Sequence, residues 1–515
     1  MVATSPLGIV VLAAGRGTRM RSDRAKVLHA VAGKPFILSV LDTARALAPI
    51  RLAVVVGHEA EEVERVCTEY LQRNPIAGVV TYPRQVEQRG TGDAVRAAAD
   101  AFASFDGNVL ILYGDVPGLN AKTLEDLLGH HRAADATLSL LTTTVDDPTG
   151  YGRIVRDADG RLRGIVEQRD LAPSETGIRE INPGIYCVRA HALWPALSQL
   201  RADNAQREYY LTDIVAMAVA AGERVESRPV ADPGEVAGIN SREDMAILEE
   251  RARKALVEKW MREGVTFRDP ATAYIEVDVT IGSDTEIGPN VQLLGRTVVG
   301  RGCQLDGTAF LRDATLGDGV HLKLSVVITE AVVGDDSIIG PFAHLRPGTE
   351  LGQAVHIGNF VETKKAKLGR GTKANHLTYL GDCEIGSATN IGAGTITCNY
   401  DGFAKHRTVI GDRVQIGSDT QLVAPVTVGD DAYVGAGTTV TGDVPAGALV
   451  VSRVPQRTVA GWVERRRARS AGAKAASPAA PTPRKVAQPK KRTPKRKAVA
   501  ARGVARARAG RRGKR

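Results

Sequence analysis

Between Ile275 and Val440 the hydrophobic positions keep a period of six. Ile275, Ile281, Ile287, Leu293, Val299, Leu305 and Leu311 form one unbroken series, and Val333, Ile339, Leu345, Leu351 and Ile357 form a second. Ile410, Ile416, Leu422, Val428, Val434 and Val440 form a third. A glycine often follows the aliphatic, as in Ile281-Gly282 and Val428-Gly429. An α-helix repeats every ~3.6 residues and a strand every two, so neither produces this spacing. A solenoid with three short flat faces per coil does, with one hexad per face, the aliphatic inward and small residues at the corners. The spacing predicts a parallel β-helix. It is interrupted twice: the register slips between Leu311 and Val333, and a loop, TCNYDGFAKHRTV, protrudes between Ile396 and Ile410. Loops on repeat proteins usually carry function, and this one is expected to pack on a neighbouring subunit.

Upstream the pattern changes. Residues 8–14 (GIVVLAA), 51–57, 78–82, 107–115 and 136–144 are short apolar runs, and helical stretches such as 36–48 and 92–103 alternate with them. The alternation predicts a mostly parallel, Rossmann-like sheet with helices on both faces and a ligand at the carboxyl ends of the strands. Residues 241–263 read as a long charged helix with Met245, Leu248, Ala252 and Leu256 at helical spacing, a Ser241/Asp244 capping box and Gly264 as its stop. The expected organisation is therefore an α/β domain over 1–240, a linker helix over 241–264, a β-helix over 265–463 and a tail over 464–515.

Composition matters chiefly for that tail. The 515 residues carry a net charge of +10, but 20 of the 68 Lys+Arg and one of the 58 Asp+Glu lie from Glu464 onward. The rest of the chain is thus acidic, and the basicity belongs to the tail alone. Lys, Arg, Ala and Pro without aliphatic periods cannot bury enough apolar surface to fold, so disorder is expected there. Solvated chain and polyanion-binding chain both fit that composition. No aromatic follows Trp462, so nucleic-acid binding by the tail would be nonspecific and salt-sensitive. Five cysteines without paired spacing, no long apolar run and no signal-peptide pattern predict a cytoplasmic protein.

The chemistry sits in two places. Gly15-Arg16-Gly17-Thr18-Arg19-Met20 follows the first strand as a glycine-rich turn. It is not a P-loop, and Met20 stands where a dinucleotide fingerprint has its third glycine. Arg19 and Lys26 nevertheless offer two cations to an anion cradled by backbone amides, and Asp115 ends a later strand as a natural Mg²⁺ ligand. Phosphate cations plus a metal carboxylate are the equipment of nucleotidyl transfer. In the solenoid, Lys364, Lys365, Lys367, Arg370 and Lys373 surround His376, and such side chains cannot face an aliphatic interior. An imidazole, with an ordinary pKa near ~6.5, can take a proton from an attacking amine, while Arg346, Lys364 and Lys365 would recognise a phosphate.

LAAGRGTRM with Lys26, QVEQRGTGDA (85–94), LYGDVP (112–117), YGRI (151–154), IVEQRD (165–170) and NPGIY (182–186) resemble the sugar-nucleotide pyrophosphorylases. With the hexad domain, which carries HLTYLGD, NIGAGT and NYDG, residues 7–460 resemble the bifunctional bacterial N-acetylglucosamine-1-phosphate uridyltransferase/glucosamine-1-phosphate N-acetyltransferase family. The resemblance implies a left-handed β-helix, a homotrimer built through it, Mg²⁺ as cofactor, and acetyl-CoA and UTP as co-substrates. It implies that Leu12, Ala13, Ala14 and Gly15 lie along the uracil and ribose, that Arg19 and Lys26 face the phosphates, and that Gln85, Gln88, Gly90 and Thr91 read the uracil edge. Tyr113, Gly114 and Asp115 would line the same site, with Asp115 and Asn240 holding the metal. Gly152, Glu167 and Asn182 would bind N-acetylglucosamine, with Tyr209 near the sugar. On the solenoid, His376 would be the general base, and Arg346, Lys364, Tyr379 and Asn390 would bind glucosamine-1-phosphate. Ala393, Asn399, Tyr400, Ser418, Ala436 and Arg453 would contact acetyl-CoA. The chain departs from the family pattern at Ala25 (usually Pro), Asp93 (often His) and Pro183 (usually small and polar). Two alternatives stand beside this reading: a single-activity pyrophosphorylase with a regulatory β-helix, and a nucleic-acid-associated scaffold worked by the tail.

Overall fold

The computed structural model describes residues 5–476, and the boundary between two compact units falls after Arg453. The first strand, Leu7–Leu12, is buried along its whole length and has parallel strands on both sides, Arg51–Val55 and Asn108–Tyr113. Val79–Thr81 extends the parallel part at one edge. Beyond Asn108–Tyr113 the sheet turns antiparallel through Tyr186–Arg189, Leu138–Thr144, Glu180–Asn182, Gly152–Arg156 and Leu162–Val166. The expected mostly parallel sheet is therefore mixed. In its antiparallel half the Asp157–Gly160 turn joins Gly152–Arg156 to Leu162–Val166 and leaves no room for a crossover helix, while Glu180–Asn182 and Tyr186–Arg189 run in one direction along Leu138–Thr144, separated by Pro183-Gly184-Ile185. Apolar cores lie on both faces, one around Ile9, Val11 and Leu112, the other around Val10, Val55 and Ile111.

All eighteen aliphatics of the three hexad series are buried in one continuous core. Pairing is parallel, and Ile275 meets Leu293, which meets Leu311, each step being one eighteen-residue coil. The slip after Leu311 is a shortening rather than a break. Val299 pairs with Leu316 and Leu316 with Val333, coils of seventeen, so Leu316, Leu322 and Ile328 carry the inner stack across the gap. Later, Ile391 pairs with Ile416, a coil of twenty-five that accommodates the protruding loop.

The linker helix, Arg242–Arg262, is capped as read: Ser241 Oγ accepts from the Asp244 amide at 3.1 Å, and Asp244 Oδ2 accepts from the Ser241 amide at 2.9 Å. Its Met245, Leu248, Ala252 and Leu256 pack on Val31, Ala32, Phe36 and Ile239 of the α/β domain. Val257 and Trp260, one turn further on, join the solenoid core. The turn at Ala32-Gly33 is held between them: Glu249 of the helix accepts from the Ala32 amide at 2.8 Å, and Ala32 O accepts from the Val277 amide of the first coil at 3.0 Å.

In the second unit, Trp462–Ala476 is helical, which corrects the expectation of irregular chain from 464 for its first dozen residues. Ala and Arg are strong helix formers, and Glu464 in the first turn opposes the helix dipole. The remainder of the expected disordered tail lies outside the described residues. No described helix is long and apolar enough to cross a membrane.

Candidate functional sites

A cavity of about 370 Å³ opens at the carboxyl ends of Leu7–Leu12 and Asn108–Tyr113. The paired ends bring Leu12 beside Tyr113, and the Gly114 amide donates to Leu12 O at 2.9 Å. The chain then turns through Gly17, whose φ of +59° is left-handed; a Cβ there would meet the Lys26 side chain at 2.6 Å. Only glycine lets the loop close over the Lys26 stem. Lys26 is buried, and its ammonium lies on Asp115 Oδ2 and on Asn240 Oδ1, the latter at 2.7 Å. Arg19 donates to the same Asn240 oxygen at 2.8 Å. Asn240 arrives there because the Ile239 amide donates to Asp115 O and the Asn240 amide to Asp244 at the helix start. A carboxylate and an amide oxygen thus converge on one cationic point. That is the hard-oxygen donor set that suits Mg²⁺ completed by phosphates and water.

Thirteen of the expected nucleotide-site residues line this cavity: Leu12, Ala13, Ala14, Gly15, Arg19, Lys26, Gln85, Gln88, Gly90, Thr91, Tyr113, Asp115 and Asn240. Gly114 stands behind it, against Ile37 and Val27. Gly152, Glu167 and Asn182 form a neighbouring cluster. A Cβ on Gly152 would face Glu167 Oε1 at 3.5 Å, and Thr212 donates to that oxygen at 3.1 Å. Burial pushes the Glu167 carboxyl above its ordinary pKa, with the Thr212 hydrogen bond opposing. Asn182 donates to Tyr186 OH at 2.6 Å and accepts from the Gly184 amide at 3.0 Å, a turn that needs no N–H from Pro183. Ala25, likewise, spends its N–H on Glu59 at 2.5 Å. Tyr113 joins cavity and cluster, with burial and then the Glu167 charge raising its phenol, and Thr91 hydrogen-bonding to it.

Sequence reasoning passed over Thr18 and Glu208, which line the cavity, and Thr212. The last two lie in the REYYLTD stretch, where Tyr209 had drawn attention. Tyr209, expected near the sugar, lies under the Arg96 guanidinium, its ring centroid 4.7 Å away.

The solenoid site is an open surface. Arg346 follows Leu345, which pairs with Thr363, so Arg346 stands over Lys364. Lys405, from the protruding loop, and Arg346 hold the Lys364 ammonium below the usual lysine range, with Lys365 adding to the effect. Arg346 is partly balanced by Glu362 at 2.6 Å, and Lys405 by Asp382 at 3.9 Å. Asn399 fastens the loop base by donating to Asp382 at 2.6 Å, and Tyr400 bridges to Lys405. Tyr379 lies across Gly381, where a Cβ would meet its hydroxyl at 2.4 Å. Lys405 is the cation that the sequence reading missed; the signal was a lysine in an excursion with no packing role.

His376 is exposed, and no described hydrogen bond or ion pair joins its side chain to Arg346, Lys364, Tyr379 or Asn390. Its position is set by register. Ala374, Ile391, Ile416 and Val434 pair in sequence. Two residues beyond each come His376, Ala393, Ser418 and Ala436, one column down a corner of the prism. Arg453 reaches its foot, with Nη2 lying 3.4 Å from where a Cβ on Gly435 would stand. Four of the six expected acetyl-CoA residues therefore align beneath His376, while Asn399 and Tyr400 stand apart in the loop.

Three family models match. The MobA-like NTP transferase domain covers residues 9–215, the GMPPB C-terminal domain 271–368, and the bacterial transferase hexapeptide (six repeats) 407–442. The bifunctional protein GlmU of Pelobacter propionicus is 49% identical over 88% of this chain and 97% of its own. That of Mycolicibacterium vanbaalenii is 50% identical over 90% and 94%. That of Geobacter sulfurreducens is 47% identical over 90% and 99%.

Proposed function

The chain belongs to the bifunctional GlmU family, and from that premise we propose how its two sites divide the synthesis of UDP-N-acetylglucosamine. The enzyme acetylates glucosamine-1-phosphate with acetyl-CoA on the solenoid. It then transfers UMP from UTP to the resulting N-acetylglucosamine-1-phosphate in the α/β domain, releasing pyrophosphate. One observation carries the second step: Lys26, Arg19, Asp115 and Asn240 converge in the wall of a cavity of about 370 Å³ that Gln85, Gln88, Thr91 and Tyr113 also line.

On the solenoid the phosphate of glucosamine-1-phosphate is held by Arg346, Lys364, Lys365 and Lys405, with Tyr379 and Asn390 hydrogen-bonding the sugar. The sugar amine attacks the thioester carbonyl. His376 takes the proton that the nitrogen sheds, the C–S bond breaks, and the thiolate leaves along the corner of Ala393, Ser418, Ala436 and Arg453. Among the described residues no hydrogen bond or ion pair joins the cation cluster to the His376 side chain, which supports a trimer in which a second copy's loop, with Asn399 and Tyr400, completes each site.

In the α/β domain Gln85, Gln88, Gly90 and Thr91 hold the uracil, Leu12 to Gly15 the ribose, and Gly152, Glu167 and Asn182 the N-acetylglucosamine. A phosphate oxygen of the sugar phosphate attacks the α-phosphorus, and the bond to pyrophosphate breaks. Lys26 and Arg19 stabilise the charge gathering on the leaving oxygens. Asp115 and Asn240 would hold Mg²⁺, which supplies further charge neutralisation when bound. The reading places the protein in the cytoplasm and leaves the tail as a nonspecific polyanion binder outside both reactions.

The test is a coupled assay with glucosamine-1-phosphate, acetyl-CoA, UTP and Mg²⁺, following thiol and pyrophosphate separately. The expected result is both products, with pyrophosphate dependent on acetylation. Pyrophosphate only from supplied N-acetylglucosamine-1-phosphate, with no thiol, would reduce the protein to a single-activity pyrophosphorylase.

A further inference from the structure

Gln85 is 7% exposed in the nucleotide cavity, and its amide nitrogen makes two hydrogen bonds, to Gly90 O at 3.0 Å and to Asp93 Oδ2 at 3.0 Å. Both partners are acceptors: a peptide carbonyl never donates, and a carboxylate at neutral pH does not either. A side-chain amide can ordinarily rotate by half a turn and exchange its oxygen for its nitrogen. Here that rotation would set the amide oxygen against two other oxygens in a buried place, losing two hydrogen bonds and adding repulsion. Gln85 is therefore locked with both N–H groups committed, so the only polar atom left to offer a ligand is the oxygen.

Asp93 is built to hold this orientation. It stands in the first turn of the helix Thr91–Arg96, directly after Gly90 and Thr91 of the cavity wall. On its far side it borders a second, open cavity of about 330 Å³, so the carboxylate keeps access to water while one oxygen serves Gln85. The Gly90 carbonyl alone could retain one N–H; Asp93 fixes the second by accepting it.

We propose that Asp93 is a specificity-determining residue for the pyrimidine. By fixing the amide of Gln85, it presents a pure hydrogen-bond acceptor to the base edge. Uracil offers a donor there, its N3–H. Cytosine has an unprotonated N3 at the same place, which would meet the oxygen with a lone pair. This rests on the reading of the cavity as the UTP site and of Gln85 as a contact of the base. Asp93 acts through Gln85 and is a positioning residue, so the effect should appear in base choice rather than in turnover of the correct nucleotide.

The experiment compares kcat/KM for UTP and CTP in the full chain, with N-acetylglucosamine-1-phosphate and Mg²⁺, for the wild type, Asp93→Ala and Asp93→Asn. Asp93→Ala is expected to lower the UTP:CTP ratio about tenfold, the scale of one net hydrogen bond, through a higher KM for UTP and a gain with CTP. Asp93→Asn still offers a carbonyl oxygen to the Gln85 amide and should stay within about twofold of wild type. Thermal melting of each variant, together with its acetyl transfer, reports folding. An unchanged ratio in Asp93→Ala would overturn the proposal. Equal losses in Asp93→Ala and Asp93→Asn would also overturn it, because charge and not amide orientation would then be responsible. If the wild type fails to use UTP at all, the underlying site reading fails instead, and the two outcomes are distinguishable.

Discussion

The α/β cavity and the solenoid surface gather cations on opposite kinds of backbone. At the edge of the sheet, loops rise on several sides of the strand ends, so Lys26 can be buried with Asp115 and Asn240 inside a single chain. The solenoid is a prism with flat faces. Its cations, Arg346, Lys364, Lys365 and Lys405, repel one another at the surface, and His376 stands exposed at a corner. A concave fold can finish a site alone. A convex one needs an excursion, and the twenty-five-residue coil that carries Lys405 is that excursion.

The comparison can be broken most severely at its buried end. Lys26→Ala removes the cation on which Asp115 and Asn240 converge. Uridylyl transfer should fall by about 10³-fold or more, while acetyl transfer by the same preparation stays at the wild-type rate. Steady-state rates of the two half-reactions check this. On the solenoid, where solvent screens each charge and three other cations remain, Lys405→Ala should raise KM for glucosamine-1-phosphate about tenfold. The penalty should shrink as salt is added, and the UTP reaction should be untouched.

The smallest effect concerns Glu167, whose carboxyl is raised by burial. A raised folded pKa means that the neutral carboxyl is the better-tolerated form. Its stabilising contribution is present below the unfolded glutamate pKa of ~4.3 and is lost as pH rises through the folded value. Glu167→Gln should therefore raise the melting temperature at pH 7 by roughly 1–2 °C and leave it unchanged near pH 4, while KM for N-acetylglucosamine-1-phosphate rises. Calorimetry at both pH values, beside initial rates, checks the trade.

The hexad period made the solenoid legible because every one of its aliphatics had the same task, and all are buried. The slip after Leu311 was not, since a side shortened by one residue destroys a strict six-residue count while leaving Leu316, Leu322 and Ile328 correctly inward. Periodicity in the α/β domain marked strands but not their direction, and direction follows from connection length, as at the short Asp157–Gly160 turn between Gly152–Arg156 and Leu162–Val166. Motif residues such as Asp115 and Asn240 could be named from resemblance. Their meeting could not be derived from the chain, because it depends on Ile239 hydrogen-bonding to Asp115 across more than a hundred residues. Lys405 and Thr212 act through spatial neighbours that no local pattern reveals.

The partition of the two chemistries is tested most directly by measuring both half-reactions in two folded variants, Asp115→Ala and His376→Ala. The account predicts reciprocal loss: Asp115→Ala retains thiol release and loses pyrophosphate release, and His376→Ala does the reverse when N-acetylglucosamine-1-phosphate is supplied. If either variant, melting like the wild type, lost both activities or retained both, the two sites would not be the separate centres described.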